Sequence, residues 1–311
     1  MRLVDSHAHL QADAFGLDRA AVVAAARAAG VERILVPGWD AASSSAALEL
    51  AAEHGWIDAA AGIHPHDAAL ATGSDWASIE RLANDARVVA IGETGLDFDR
   101  MHAPSEAQLA NLRRHLRLAL ATGKPAILHC RSAAGRCDAQ DALLDELRTA
   151  DFGGEAARRA FGNRPPAILH SFSGSVEYAC AALELGLAIS FGGLVFRRGE
   201  EASAEVARLV PAGRLLVETD SPYLAPPGVP RYKPAVATPA RPASAAGTVS
   251  DPGAATAEGD PTAVFHGRRN SPEWVRITGE WLAGRRGETP DSIGAGLIEA
   301  YDATFRSRSP G

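Results

Sequence analysis

The 311-residue chain carries a net charge of −7 and 46% apolar residues, enough to bury a sizeable core as one large α/β unit. The acidic balance argues against a broad basic surface gripping duplex DNA, while leaving room for a small phosphate site made positive by bound metal. No apolar run approaches the ~18–20 residues of a membrane span, and the first residues lack the basic-then-apolar order of a signal peptide. Three cysteines, Cys130, Cys137 and Cys180, without a CxxC spacing predict a reduced, cytoplasmic protein with no disulfide frame.

The chain opens on LVDSHAHL, residues 3–10. On a strand, side chains two apart share a face, so His7 and His9 are expected side by side, with Asp5 on the same side. A strand that only filled a core would carry Val or Leu there. RILVPG from Arg33 and DAAAGIH from Asp58 continue the strands, with helical stretches over 17–29 and 41–54. VVAIGET from Val88, PAILHC from Pro125, PAILHSF from Pro166, LAISFGG from Leu187 and LLVETDS from Leu215 follow, with helices over 103–121 and 175–185 among them. Eight βα units predict a (β/α)8 TIM barrel, with a doubly wound sheet as the competing arrangement.

One domain is expected over 1–311, with two irregular segments inside it. Residues 132–165 exceed a usual βα connection and read as a helix over RCDAQDALLDELRTA followed by a Gly/Arg-rich turn. Residues 233–264 are rich in Ala and Pro and hold no aromatic, Leu, Ile or Met. Such a stretch cannot bury enough surface to offset its ordering entropy, so it reads as a flexible insertion, with order returning at FHGRRNSPEWV.

Ionisable residues collect at one end of the predicted strands. His7 and His9 close the first, His64 the third with His66 just beyond, and Glu93 the fourth. His129 closes the fifth, His170 the sixth, and Glu218 and Asp220 the eighth. In a parallel barrel these ends share the rim where enzymes of that fold keep their sites. Histidine with carboxylate suits borderline divalent cations. Four histidines (His7, His9, His129, His170) and two carboxylates (Glu93, Asp220) exceed one tetrahedral site, whereas two ions sharing a carboxylate would use them all. Singly, His129 or His170 would read as a satisfied core histidine, and Asp220 as a cap on the turn before Pro222. Glu218, deeper in the barrel, reads as structural. His64 suits substrate contact and the role of His66 stays open. His54, His102, His115 and His266 are expected to take no part.

In order, VDSHAHL, GIHPHDA, GETGLDF, LHCR, HSFSG and ETDSPYLAP resemble the TatD-related metal-dependent deoxyribonucleases, a branch of the amidohydrolase-like barrels. GRRNSPEWV resembles the segment that follows the last barrel strand there, and the likeness runs from Arg2 to about Ala283. The resemblance implies two divalent cations, Mg2+, Mn2+ or Zn2+, bridged by Glu93. His7, His9 and Asp220 would complete one site, and His129 and His170 the other. It implies further that Asp220 orients or deprotonates the attacking water, that His64 steadies the scissile phosphate and that Arg131 contacts phosphate. The activity implied is an exodeoxyribonuclease on single-stranded DNA ends, since a recessed rim admits one strand more readily than a stacked duplex. No membrane or obligatory protein partner is expected. Both irregular segments depart from the family's pattern at the site rim and put substrate choice in question.

Three rival readings use the same residues. A C–N hydrolase of the amidohydrolase type would, by resemblance, bridge its metals with a carboxylated lysine ending strand four; Lys124 and Lys233 are the lysines of this chain, and neither lies there. A hydrolase of D-aminoacyl-tRNA esters would share the barrel and its ligands. A nucleic-acid-binding barrel that keeps metal only for stability would need no complete ligand set.

Overall fold

A computed structural model describes residues 1–231 and 268–306. Parallel strands alternate with helices: β1 (Leu3–Asp5), α1 (Arg19–Ala28), β2 (Val31–Pro37), α2 (Ala41–Glu53), β3 (Ile57–Ala61), α3 (Gly73–Leu82), β4 (Val88–Asp97), α4 (Ser105–Thr122), β5 (Ala126–Arg131), α5 (Asp138–Thr149), α6 (Glu155–Phe161), β6 (Ala167–Leu169), α7 (Val176–Glu184), β7 (Ala188–Phe191), α8 (Ser203–Leu209), β8 (Leu215–Val217), α9 (Val275–Arg286) and α10 (Pro290–Phe305). The strands form one eight-stranded sheet in the order β1 to β8. Its ends meet where Ser6 N donates to Val217 O (2.9 Å), Asp220 N to His7 O (2.8 Å) and His9 N to Ser221 O (2.7 Å). The expected barrel is therefore the fold, and the doubly wound sheet is not.

The strands are short runs of Ala, Val, Ile and Leu buried at nearly every position, as a parallel sheet covered by helices requires. Helix starts follow their capping residues. Asp40 accepts from Ser43 N (2.6 Å) at the start of α2, Thr72 from Asp75 N (3.3 Å) at α3 and Ser175 from Tyr178 N (3.2 Å) at α7. No helix among the described residues is long and apolar enough to cross a membrane.

Several boundaries differ from the expectation. β1 ends at Asp5, so His7 and His9 lie beyond the strand, on either side of Ala8, which bridges Ser221. Asp5 does not join them. Its carboxylate accepts from Thr219 N (2.9 Å), Thr219 Oγ1 (2.6 Å) and His7 N (3.3 Å), tying β1 to the segment after β8. β4 runs on to Asp97, which places Glu93 within the strand rather than at its end. Within 132–165 the Gly/Arg-rich part is not only a turn: it contains α6, whose buried Phe161 lies 6.1 Å from the Phe152 ring. The 233–264 segment and His266 lie outside the described residues.

At the opposite end of the barrel, Asp58 of β3 is buried against α10. It accepts from Tyr301 Oη (2.9 Å), and Arg306 Nη2 stands 3.8 Å away. Burial raises its pKa, against the Tyr301 hydrogen bond and the arginine charges. The folded chain thus holds this proton more tightly than the unfolded chain does. Asp58 then costs stability as pH rises above the unfolded value of about 4. Asp58→Asn retains an acceptor for Tyr301 without the charge. Urea denaturation should find the variant at least as stable as the parent at about pH 8, with the difference shrinking toward about pH 4. A less stable variant at the higher pH would mean that the Arg306 pairing outweighs burial.

Candidate metal centre

Glu93 sits between two glycines of β4 that lie tight against the backbone of β5, where the register between the strands shifts. A Cβ added to Gly92 would lie 2.7 Å from the Ile127 carbonyl oxygen, and one on Gly95 only 1.9 Å from that of His129. Both glycines also hold φ near +140°, at +143° and +137°, which side chains disfavour. The G-E-T-G spacing is therefore what lets the carboxylate of one strand meet the imidazole of the next.

Five imidazole nitrogens surround that carboxylate, and they divide between its two oxygens. His7 Nε2 and His9 Nε2 stand 3.2 and 3.7 Å from Oε2. His170 Nε2, His64 Nε2 and His129 Nδ1 stand 2.9, 3.2 and 3.2 Å from Oε1. Asp220 completes the first group, its Oδ1 lying 3.8 Å from His7 Nε2 and 3.5 Å from His9 Nε2. Asp220 holds φ +54°, in the left-handed region that aspartate tolerates better than most residues. Behind it, Asn270 of the RN segment donates to Thr219 O (2.8 Å), and its backbone N–H donates to Pro222 O (3.0 Å).

The first group fits a cation. Donors about 2.1 Å from a shared tetrahedral ion lie roughly 3.4 Å apart; His7 and His9 lie 3.2 Å from each other and 3.2 to 3.8 Å from the oxygens of Glu93 and Asp220, and His7, His9 and Glu93 form one cluster able to hold a metal ion. His7 Nε2 and His9 Nε2 face each other at 3.2 Å, an arrangement that only a shared proton or a shared cation relieves. Burial, reinforced by the charge of neighbouring His170, lowers the His7 pKa and leaves its lone pair available.

In the second group the outer partners decide which nitrogen carries hydrogen. His129 Nε2 donates to Asp97 Oδ2 (3.2 Å), so Nδ1 turns a lone pair toward Glu93. His170 Nδ1 donates to Glu218 Oε1 (3.3 Å), freeing Nε2, which lies close to Glu93 without hydrogen-bond alignment. His64 is the reverse case. Its Nδ1 accepts from His66 N (3.2 Å), so its Nε2 bears the hydrogen and donates. Burial pushes its pKa down to about 3, so it acts as a neutral donor rather than a cation.

The carboxylates are held ionised. Burial alone would raise the Glu93 pKa, but the imidazoles gathered around it, His170 foremost, hold it well below the usual range. In Asp220 burial is likewise outweighed, by the His9 hydrogen bond and the other imidazoles beside it. For His170 the balance runs the other way: burial lowers its pKa, and Glu93 and Glu218 together carry it well above the ordinary value. The chain by itself thus recruits a positive charge to this spot, as a divalent ion would provide.

The eight residues expected at the site converge, Arg131 at its edge with Nη1 4.0 Å from Asp97 Oδ2. Glu218 lies behind His170: it accepts from His170 Nδ1 (3.3 Å) and from Ser171 N (2.6 Å). Asp97 was missed. It is fully buried, accepts from His129, from His66 Nε2 (2.8 Å) and from the backbone of Asp99 and Arg100 (3.1 and 2.8 Å). Its place four residues after Glu93, on the same face of one strand, was the available signal. His102, set aside from the sequence, stands at this rim with its ring 4.3 Å from that of His66. His115 does stay out of the site: it accepts from Ile63 N (3.0 Å) inside the fold.

Comparison with known proteins bears on the centre. A family model described as TatD related DNase matches residues 4–306. The uncharacterized metal-dependent hydrolase YabD of Bacillus subtilis is 32% identical over 304 residues, covering 98% of this chain and 99% of its own. A 3′–5′ ssDNA/RNA exonuclease TatD of Erwinia billingiae is 34% identical over 295 residues, with 94% of each chain covered. Among solved structures, the TatD homologue YjjV of Escherichia coli superposes with a TM-score of 0.74 at 25% identity, over 99% of both chains.

Asp97 is a positioning residue acting through His129. An asparagine there can present an N–H to His129 Nε2, which would reverse the tautomer and turn a hydrogen toward Glu93. Asp97→Asn should weaken metal affinity about 10- to 100-fold with little change in urea stability, read by metal titration of the purified variant. Unchanged affinity would show that Asp97 does not set that tautomer.

Proposed function

This chain belongs to the TatD related DNase family and is a metal-dependent hydrolase, and on that footing we propose that it is a 3′–5′ exonuclease acting on single-stranded DNA or RNA ends. The observation that carries the reading is the division of donors between the two oxygens of Glu93. That division suits two divalent cations: His7, His9 and Asp220 would hold the first, His129 and His170 the second, and Glu93 would serve both. Relatives named as exonucleases of this polarity, 34% identical over nearly the whole chain in one case, supply the substrate class.

Cations so bound lower the pKa of water and neutralise the charge that develops on a phosphodiester. The chain's own groups do the rest. Asp220, ionised and beside the first group, receives the proton of the attacking water. His64, fixed as an Nε2 donor by the His66 backbone and standing at the cavity wall 3.2 Å from Glu93 Oε1, would turn that hydrogen to a non-bridging phosphate oxygen when substrate and cations are bound. Glu218 and Asp97 keep the ligand imidazoles from rotating. Arg131 extends the positive field toward the strand.

A C–N hydrolase bridged by a carboxylated lysine is disfavoured by Lys124. Its Nζ donates to the carbonyls of Ala83 (2.6 Å) and Asp85 (2.7 Å), away from the centre, and Glu93 fills the bridging position; Lys233 lies outside the described residues.

Purified protein, analysed for metal, should release mononucleotides from 5′-labelled single strands in ladder fashion, and chelator should abolish turnover while leaving the fold intact. Deacylation of D-aminoacyl-tRNA without any oligonucleotide cleavage would replace the nuclease reading with an ester-hydrolase one. Glu93→Ala should lose turnover and metal together. His64→Ala should keep its metal and lose about 10²–10³-fold in kcat; loss of metal instead would make His64 a ligand.

A further inference from the structure

Above the centre lies a cavity of about 620 Å³, and the strand order divides its wall into chemically different arcs. Each loop after a strand sits at a fixed place around the rim, and β5 lies four strands from β1, directly across an eight-stranded barrel. The large aromatic side chains among the described lining residues are Trp39, after β2, and Tyr223, after β8. Both meet the His9 ring edge-on, at 5.5 and 5.9 Å. The arginines are Arg131, which ends β5, Arg136, after β5, and Arg198, after β7. Asp67 and Asp99 occupy the wall after β3 and β4, where a phosphate would be repelled. Acids stand in the arginine arc too: Glu200 accepts from the Ser173 hydroxyl (2.7 Å), and Asp138 pairs with Arg136 (2.7 Å), which is exposed.

A nucleic-acid strand has matching halves: bases are flat and uncharged, and phosphates are anionic. We propose that the divided wall fixes the direction in which a single strand enters. The base of the terminal nucleotide stacks on Trp39 and Tyr223, and the phosphates preceding the scissile one run along Arg131, Arg136 and Arg198. This rests on the exonuclease reading. The terminal nucleotide offers one base and no further chain, so a stacking surface alone suffices on its side. The retained strand carries a phosphate per residue, and it meets the arc that holds the guanidinium groups. The chain's net charge of −7 leaves those arginines as the local source of positive potential beside the cations. Recognition of this kind ignores base identity, since every base has a face to stack.

Three single-stranded substrates separate the parts: an unmodified oligonucleotide, the same strand with an abasic terminal residue, and one with uncharged methylphosphonate links just before the scissile phosphate. With the wild-type protein, each modification should lower kcat/KM about tenfold or more. Trp39→Ala should bring the abasic-to-normal ratio close to one while preserving the methylphosphonate penalty, and Arg136→Ala/Arg198→Ala should do the opposite. Metal content, measured in each variant, separates these effects from damage around His9. Equal cleavage of abasic and normal ends by the wild-type protein would overturn the base site without touching the nuclease reading. Absence of cleavage on every strand by the metal-loaded protein would instead defeat the nuclease reading itself, and the orientation with it.

Discussion

A single carboxylate, buried in the barrel and faced by five imidazole nitrogens, is the constraint to which much of this structure answers. A buried charge is costly unless it is paired and hydrogen-bonded, and Glu93 is 3% exposed. Its environment meets that demand on both oxygens, with His7 and His9 on one side and His64, His129 and His170 on the other. The requirement then passes outward. The imidazoles need fixed tautomers, which Asp97, Glu218 and the His66 backbone impose. Those partners in turn need burial and hydrogen bonds of their own, as Asp97 obtains from Asp99 and Arg100.

The barrel meets this constraint because its strands deliver side chains from distant sequence to one depth. Neighbours β4 and β5 bring Glu93 to His129, helped by glycines that allow backbone contact. The closure between β1 and β8 brings His7 and His9 to Asp220, and Asp5 locks it through Thr219. The RN segment before α9 braces the same turn through Asn270. Stability and chemistry are therefore joined at the seam of the barrel, whereas at the far end of the strands Asp58 and Tyr301 serve packing alone.

The loops carry a different burden from the strands. The clustered histidines and carboxylates lie within the strands or just past their ends, close to the fixed backbone ladder, and the contacts that would distinguish one substrate from another sit on the connections above. The segment after β5, longer than a usual connection and containing α5 and α6, contributes Arg136 to the cavity beside Arg131 at the end of the strand.

The sequence by itself determined the number and order of the strands, because buried parallel strands must be short apolar runs whatever surrounds them. It also singled out the ionisable residues that meet at the rim, because histidines and acids gathered at the ends of several such runs are more than packing asks for. The shared rim then follows from the parallel order alone. Tertiary structure decided what local pattern cannot encode. Asp97 looks like an ordinary strand residue until His66 and His129 arrive from other loops to share one of its oxygens. His64 and His129 carry the same side chain, yet they face Glu93 through different ring nitrogens, because the other nitrogen is held by the His66 backbone in one and by Asp97 of the neighbouring strand in the other. Asp5 and His7 are two residues apart, but the closing seam turns the first toward Thr219 and the second toward Glu93. A side chain's type is written in the chain; which neighbour takes its hydrogen is settled only when the barrel closes.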